Sequence, residues 1–161
     1  MESEKMKAII VTVSDSRRET NDVSGVTLAG LLLEIGTEVV EKIIVSDEFE
    51  DLRNTLYRLT ERDDANLIFT TGGTGFAVRD NTPEATRAVI EREAPGLAEA
   101  MRSETLKKTP LAMLSRGVCG IRDKTLIINL PGSPKGVREC FEVIKPVLQH
   151  AINLLAGNTQ H

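Results

Sequence analysis

Histidine is nearly absent from this chain. Its 161 residues include two, His150 and His161, both close to the C-terminus and outside every stretch that reads as a loop between regular elements. That disfavours a Ser-His-Asp or Cys-His nucleophile and a histidine-based zinc site. The two cysteines, Cys119 and Cys140, form no CxxC or other metal-ligand spacing, and they read as reduced core thiols. Tryptophan is missing and aromatics make up 3% of the chain, so the core must be aliphatic. Excess basic charge is also lacking. The formal net charge of -4 argues against a general nucleic-acid surface, although local cations can still hold a small anionic ligand. No apolar run is long enough to span a membrane. The opening MESEKMKAIIVTVSD is acidic and passes straight into a strand, which is not the pattern of a signal peptide, so a cytoplasmic location is expected.

What is present suits one α/β domain over residues 1–161. Lys7 to Ser14 is a β-branched run and reads as a buried parallel strand. The polar stretch Asp15 to Ser24 reads as a loop, with Ser24 capping a helix that carries Leu28, Leu31, Leu32 and Ile35 and ends at Gly36. A second strand spans Glu38 to Val45. Asp47-Glu48-Phe49-Glu50 then fits a capping box with Asp47 at the N-cap, ahead of the helical stripe Phe49, Leu52, Leu56, Leu59. Asn66 to Thr70 is the third strand. Thr82-Pro83-Glu84 starts a helix with Thr82 at the cap, Pro95-Gly96 breaks it, and another helix runs from Leu97 to Lys107. Val118 to Leu130 reads as a hairpin turning at Asp123-Lys124. Ser133 and Pro134 open a last helix carrying Val137, Cys140, Phe141, Ile144, Val147, Leu148 and Ala151, with Pro146 expected to kink or split it. The alternation predicts a three-layer α/β/α domain with a mostly parallel sheet. Ligands in such folds bind beyond the carboxyl ends of the strands. That directs attention to the loops at 15–24, 46–47, 71–82 and 131–134.

The stretch TTGGTGFAVRDNTPEAT, from Thr70 to Thr86, is the densest of these. Thr71, Gly72, Gly73, Thr74 and Gly75 lie between a strand and a helix, where bare backbone N–H groups can cradle an anion. No Gly-Lys-Ser/Thr follows and GxGxxG does not fit, so neither common nucleotide loop is present. Arg79 and Asp80 come next. Alone they read as a surface charge and a turn former. Beside a phosphate loop, Asp80 can hold Mg²⁺ and Arg79 can screen phosphate charge. Asp47 has the same two readings, and its spacing favours the helix cap. In Pro131 to Gly136, Gly132, Ser133 and Lys135 form a second anion candidate at a helix start, on a par with a plain capped helix. Ser115-Arg116-Gly117 reads first as a turn before a strand.

Taken in order, TTGGTG, RDNTPEAT, LSRG and NLPGSPKG resemble the MogA/MoaB family of molybdenum cofactor biosynthesis proteins over nearly the whole chain. The resemblance implies a three-layer α/β domain, a homotrimer and contact with the metal-insertion protein of the pathway. It also implies molybdopterin adenylyltransferase activity, in which Mg-ATP adenylylates the terminal phosphate of molybdopterin. It implies that Asp47 and Asp80 are the essential aspartates and hold Mg²⁺, and that Thr71 to Gly75 with Arg79 lie at the ATP phosphates. Ser14, Ser115, Arg116, Asn129, Gly132, Ser133 and Lys135 match the side that receives molybdopterin, and Asp15, with Ser14, matches a motif at the end of the first strand that lines the site. A non-catalytic pterin- or nucleotide-binding carrier of the same fold is the alternative.

Overall fold

The computed structural model describes residues 2–159, so His161 lies outside the described residues. Six strands and five helices follow the chain as β1 (Lys7–Val13), α1 (Val23–Glu34), β2 (Glu38–Val45), α2 (Phe49–Thr60), β3 (Leu67–Thr71), α3 (Thr82–Val89), β4 (Arg92–Glu93), α4 (Pro95–Leu106), β5 (Cys119–Arg122), β6 (Thr125–Leu130) and α5 (Pro134–Leu155). Short 3-10 turns cover Glu19–Asn21 and Pro110–Leu114. The strands form one sheet in the order β2-β1-β3-β6-β5-β4. The first four of these run parallel, and β5 and β4 are antiparallel additions at one edge.

Alternation along the central strands builds two cores. Ala8 and Ile10, Leu67 and Phe69, and Leu126, Ile128 and Leu130 face α1, α4 and α5. Ile9, Val11 and Val13, Ile68 and Ile127 face α2 and α3. Successive side chains of a strand point to opposite faces, so a continuous apolar run buries both sides of the sheet. This is the expected three-layer α/β/α arrangement. The expected aliphatic core is present as well, with one aromatic contact of note, Phe69 to Phe141 at 6.2 Å between ring centroids.

Several local expectations differ from the structure. Asp22, not Ser24, caps α1, its carboxylate accepting the Gly25 N–H at 3.0 Å and the Thr12 hydroxyl at 2.6 Å. Ser24 is thereby moved into the helix. The cap of α2 is Glu48, with no side-chain hydrogen bond, so the predicted capping box does not form. Asn81 takes the cap position of α3, and Thr82 lies one residue inside, where its hydroxyl donates to the Gly72 carbonyl at 2.9 Å. Pro95 starts α4 rather than only ending α3, since a ring that lacks an N–H suits the first helical turn. The two-residue strand β4 between these helices carries only exposed charged side chains and has no apolar period to reveal it. Pro146 does not split α5, which runs unbroken for 22 residues. It sits on an exposed stretch, where the carbonyl left without a partner can meet water. Val147 is 47% exposed instead of joining the apolar stripe.

Candidate functional site

The chain leaves β1 towards β2 on one side, while β3 lies on the other side of β1. The strand order therefore reverses at the β1/β3 pair, and the loops after these two strands diverge to open a crevice. The glycine loop enters it under tight constraint. Gly72 and Gly73 have φ of 95° and 69°, a region that disfavours any side chain. A Cβ on Gly73 would lie 2.3 Å from the Thr82 hydroxyl, and one on Gly72 would lie 2.8 Å from the Val13 carbonyl. Two further bonds pin the loop: Gly72 N–H to the Leu130 carbonyl at 3.1 Å, and Thr82 N–H to the Gly73 carbonyl at 3.1 Å. Thr71 and Thr74 are buried beneath it.

On one flank lies a group of carboxylates. Asp15 and Asp47 each donate a backbone N–H to the other's carboxylate, at 2.9 and 3.0 Å. Asp47 thus turns away from the helix it was expected to cap. The Asn81 amide donates to the Asp47 carbonyl at 3.1 Å, which brings the residue after Asp80 against the β2 tip. Burial pushes the Asp47 carboxyl above its ordinary value, and the charges of Asp15 and Asp80 add to the push. Asp15 is held below the usual range by its hydrogen bond from Arg79 and by the Asp47 N–H. Arg79 supplies the cation of this flank, donating to Asp15 at 2.5 Å and to Glu48 at 3.0 Å.

On the other flank a cleft of about 410 Å³ opens between α4, the 110–114 turn and the start of α5. Thr74, Gly75, Ser115, Asn129, Ser133 and Lys135 line it, with an apolar wall that includes Met101, Leu111 and Leu114. Its volume falls in the range of small-molecule sites. Ser133 caps α5 as expected, accepting the Gly136 N–H at 3.0 Å. Lys135 is 85% exposed on its side chain. Asn129 is buried, and its amide joins Thr70, Thr86 and the Val118 N–H, each at 3.0 Å. A larger polar groove of about 580 Å³ lies near Lys7, Arg62 and Asn66, at the opposite end of the strands. Arg62 is there held by Glu41 and Asp64, so this groove offers a ligand less than the carboxyl-end cleft does.

The remaining expected residues are structural neighbours of the crevice. Ser14 accepts the N–H groups of Ser16 and Arg17 and shapes the loop after β1. The Gly132 carbonyl accepts from Ser24 at 2.5 Å and Arg17 at 3.1 Å. Arg116 reaches into the glycine loop, donating to the carbonyls of Gly75 and Asp80. Two contributors escaped the sequence reading as site residues, Arg17 and Asp22, whereas Asp15 was expected to line the site beside Ser14. A polar loop gives no period from which their partners could be inferred. Both cysteines are buried, Cys140 on the wall of the cleft, and burial pushes the Cys119 thiol to about 12 and the Cys140 thiol to about 11.

The donor set suits a hard divalent cation. Among the described residues no group of three or more His, Cys, Asp or Glu side chains could cage a metal alone. Mg²⁺ commonly takes only one or two carboxylates and completes its shell with phosphate and water. Asp47, which feels the charge of Asp80, and Asp80 itself, beside the glycine loop, fit that mode of binding.

A family model described as a probable molybdopterin binding domain matches residues 9–150. A molybdopterin adenylyltransferase of Helicobacter pylori J99 is 41% identical over 153 residues, covering 92% of this chain and 87% of that protein. The molybdenum cofactor synthesis protein cinnamon of Drosophila melanogaster is 45% identical over 92% of this chain, which spans only 25% of that longer protein. The crystal structure of the molybdopterin biosynthesis enzyme MoaB from Thermus thermophilus superimposes with a TM-score of 0.86 at 46% identity, covering 94% of this chain and 97% of that one.

Proposed function

The chain belongs to the family of probable molybdopterin-binding domains, and we propose that it is a molybdopterin adenylyltransferase that uses ATP and Mg²⁺. A phosphate oxygen of molybdopterin attacks the α-phosphorus of ATP. The bond from that phosphorus to the bridging oxygen breaks, and pyrophosphate leaves. The observation that carries this reading is the glycine loop itself, which lies between a carboxylate group and a cleft and touches both. Gly75 lines the cleft, and a Cβ on it would lie 3.0 Å from an Asp80 carboxylate oxygen.

The attacking group, a phosphate monoester, is already anionic near neutral pH and needs no general base. That agrees with loops free of histidine. The difficulty is to bring one anion onto another. Asp47 and Asp80 would hold Mg²⁺, which would supply charge neutralisation and orient the triphosphate. Backbone N–H groups from Gly73 to Gly75, with Arg79 beside them, stabilise phosphate oxygens where charge grows, whereas the Gly72 N–H is already bonded to the Leu130 carbonyl. Ser115, Ser133 and Lys135 receive the pterin and its phosphate in the cleft. Gly132 and Asn129 shape that side from behind.

The homotrimer belongs to the same reading. It is supported by the outer edge of α1, which leaves Val23, Val26 and Leu33 57%, 58% and 62% exposed. A sedimentation measurement giving a monomer would remove it. The activity is tested by pyrophosphate release on mixing the protein with molybdopterin and Mg-ATP. Release that depends on all three components is expected. Binding of both substrates without release would make the protein a carrier instead.

A further inference from the structure

Arg116 follows the 110–114 turn and precedes β5, and its contacts run back to the glycine loop. Its backbone N–H donates to the Thr74 carbonyl at 2.8 Å. Its Nε donates to the Gly75 carbonyl at 2.7 Å, and its Nη2 to the Asp80 carbonyl at 2.8 Å. Its Nη1 meets both carboxylate oxygens of Glu84, at 2.7 and 3.0 Å. All three guanidinium nitrogens are therefore engaged within the protein.

We propose that Arg116 is a positioning residue for Asp80, a clamp that sets the shape of the Gly75–Asp80 turn, and not a ligand for substrate phosphate. What Asp80 does rests on the adenylyltransferase reading; the clamp does not. A guanidinium is a planar fork whose N–H directions are fixed. Holding the carbonyls of Gly75 and Asp80 at once sets the spacing between the two ends of the turn. Inside it, Asp80 N–H donates to the Ala77 carbonyl at 3.0 Å, and Ala77 N–H donates to an Asp80 carboxylate oxygen at 3.0 Å. The orientation of the carboxylate is thus coupled to the shape of the turn.

Apolar packing cannot do this work, because Phe76 and Val78 at the tip are 69% and 98% exposed. Polar bonds to the turn are what remains to order it, and Arg116 supplies those at both ends. Glu84, at the first turn of α3, orients the fork and offsets its charge, which weakens Arg116 as an anion ligand. Lys135 meets the Glu139 carboxylate only at 3.9 Å, and is the better placed cation for the cleft.

The test is Arg116→Lys, which keeps the charge and loses the fork. On the free protein, amide exchange at Ala77 and Asp80 should become about tenfold faster, the effect of one lost hydrogen bond. In the assay, kcat should fall about 100-fold, as expected of a misplaced catalytic group, with KM for molybdopterin unchanged. A raised KM for molybdopterin with kcat and loop exchange unchanged would overturn the proposal. If Arg116→Lys does not fold, Glu84→Gln tests the same point, with the same pattern expected at smaller size and the same result overturning it. Faster exchange in a protein whose wild type releases no pyrophosphate would support the clamp while ending the adenylyltransferase reading.

Discussion

Asp15 and Asp47 clasp each other at the tips of neighbouring strands, the backbone N–H of each donating to the other's carboxylate at 2.9 and 3.0 Å. Two like charges are thus held side by side, and each is stabilised differently. Asp15 has the Arg79 guanidinium at 2.5 Å, whereas Asp47 is the more buried and lies within reach of Asp80's field. The pair divides the work, with one carboxylate anchoring the loop cation and the other, on the proposed adenylyltransferase reading, available to a metal.

The pH dependence of metal binding should follow from this asymmetry. Asp47 is raised above its ordinary value of 3.8 first by burial and then by the Asp15 charge. Its contribution to stability is therefore full below 3.8 and is lost as pH rises through the higher folded value. Asp15 is depressed, so its contribution is present above 3.8 and is lost as pH falls through the lower folded value. Metal requires the ionised carboxylate. Asp15→Asn removes a like charge yet keeps an oxygen for the Asp47 N–H. The Asp47 titration, followed by carboxyl-carbon NMR, should move down, and the acid midpoint of Mn²⁺ binding should move with it. An Asp47 titration that stays in place would show that the two groups are not coupled.

Asp80→Asn separates chemistry from folding. The amide oxygen can still accept the Ala77 N–H, so the turn keeps its bond. The melting temperature should stay within about 2 °C of wild type, as for substitutions that leave packing intact. Adenylylation should fall by at least about 100-fold. A fully active variant would sink the assignment of Asp80.

The layers and most elements were legible because burial imposes a period. Central strands such as β1 and β3 are continuous buried runs of β-branched and other apolar residues with a few threonines, and α2 repeats Leu52, Leu56 and Leu59 on its buried face. Capping was less legible, since the choice between Asp22 and Ser24, or between Asp47 and Glu48, is made by tertiary partners. Asp22 is drawn in by the Thr12 hydroxyl and Asp47 by the Asp15 N–H. The glycine loop could be recognised by composition, but its neighbours could not. Asp15 and Arg79 are 64 residues apart, and no local pattern encodes their meeting.

Gly73 and Thr82 should behave as a coupled pair. Alanine at Gly73 would have to adopt φ near 69° and would meet the Thr82 hydroxyl at 2.3 Å. The backbone cost alone is about 1–2 kcal/mol, with the clash added to it. Thr82→Ala removes the clashing oxygen, although it also removes the bond to the Gly72 carbonyl. Urea unfolding of both single variants and the double should give a double variant more stable than the summed losses predict. Simple additivity would mean that the loop relaxes away from Thr82.

Arg79→Ala should distinguish a functional cation from a structural one. Its two ion pairs are exposed, with side-chain exposure of 53% for Arg79, 41% for Asp15 and 61% for Glu48. Such pairs contribute about 0–1 kcal/mol each, so the urea midpoint should hardly move. The loss is electrostatic, because Asp15, Asp47, Glu48 and Asp80 would keep their charge without this cation. Free Mn²⁺ should then bind more tightly at neutral pH, whereas the triphosphate should bind more weakly as it meets unscreened carboxylates. Opposite shifts for metal and nucleotide, both reduced by added salt, are the expected signature. If Arg79 only tied the loop to the strand tips, its loss would loosen the site and weaken both ligands together.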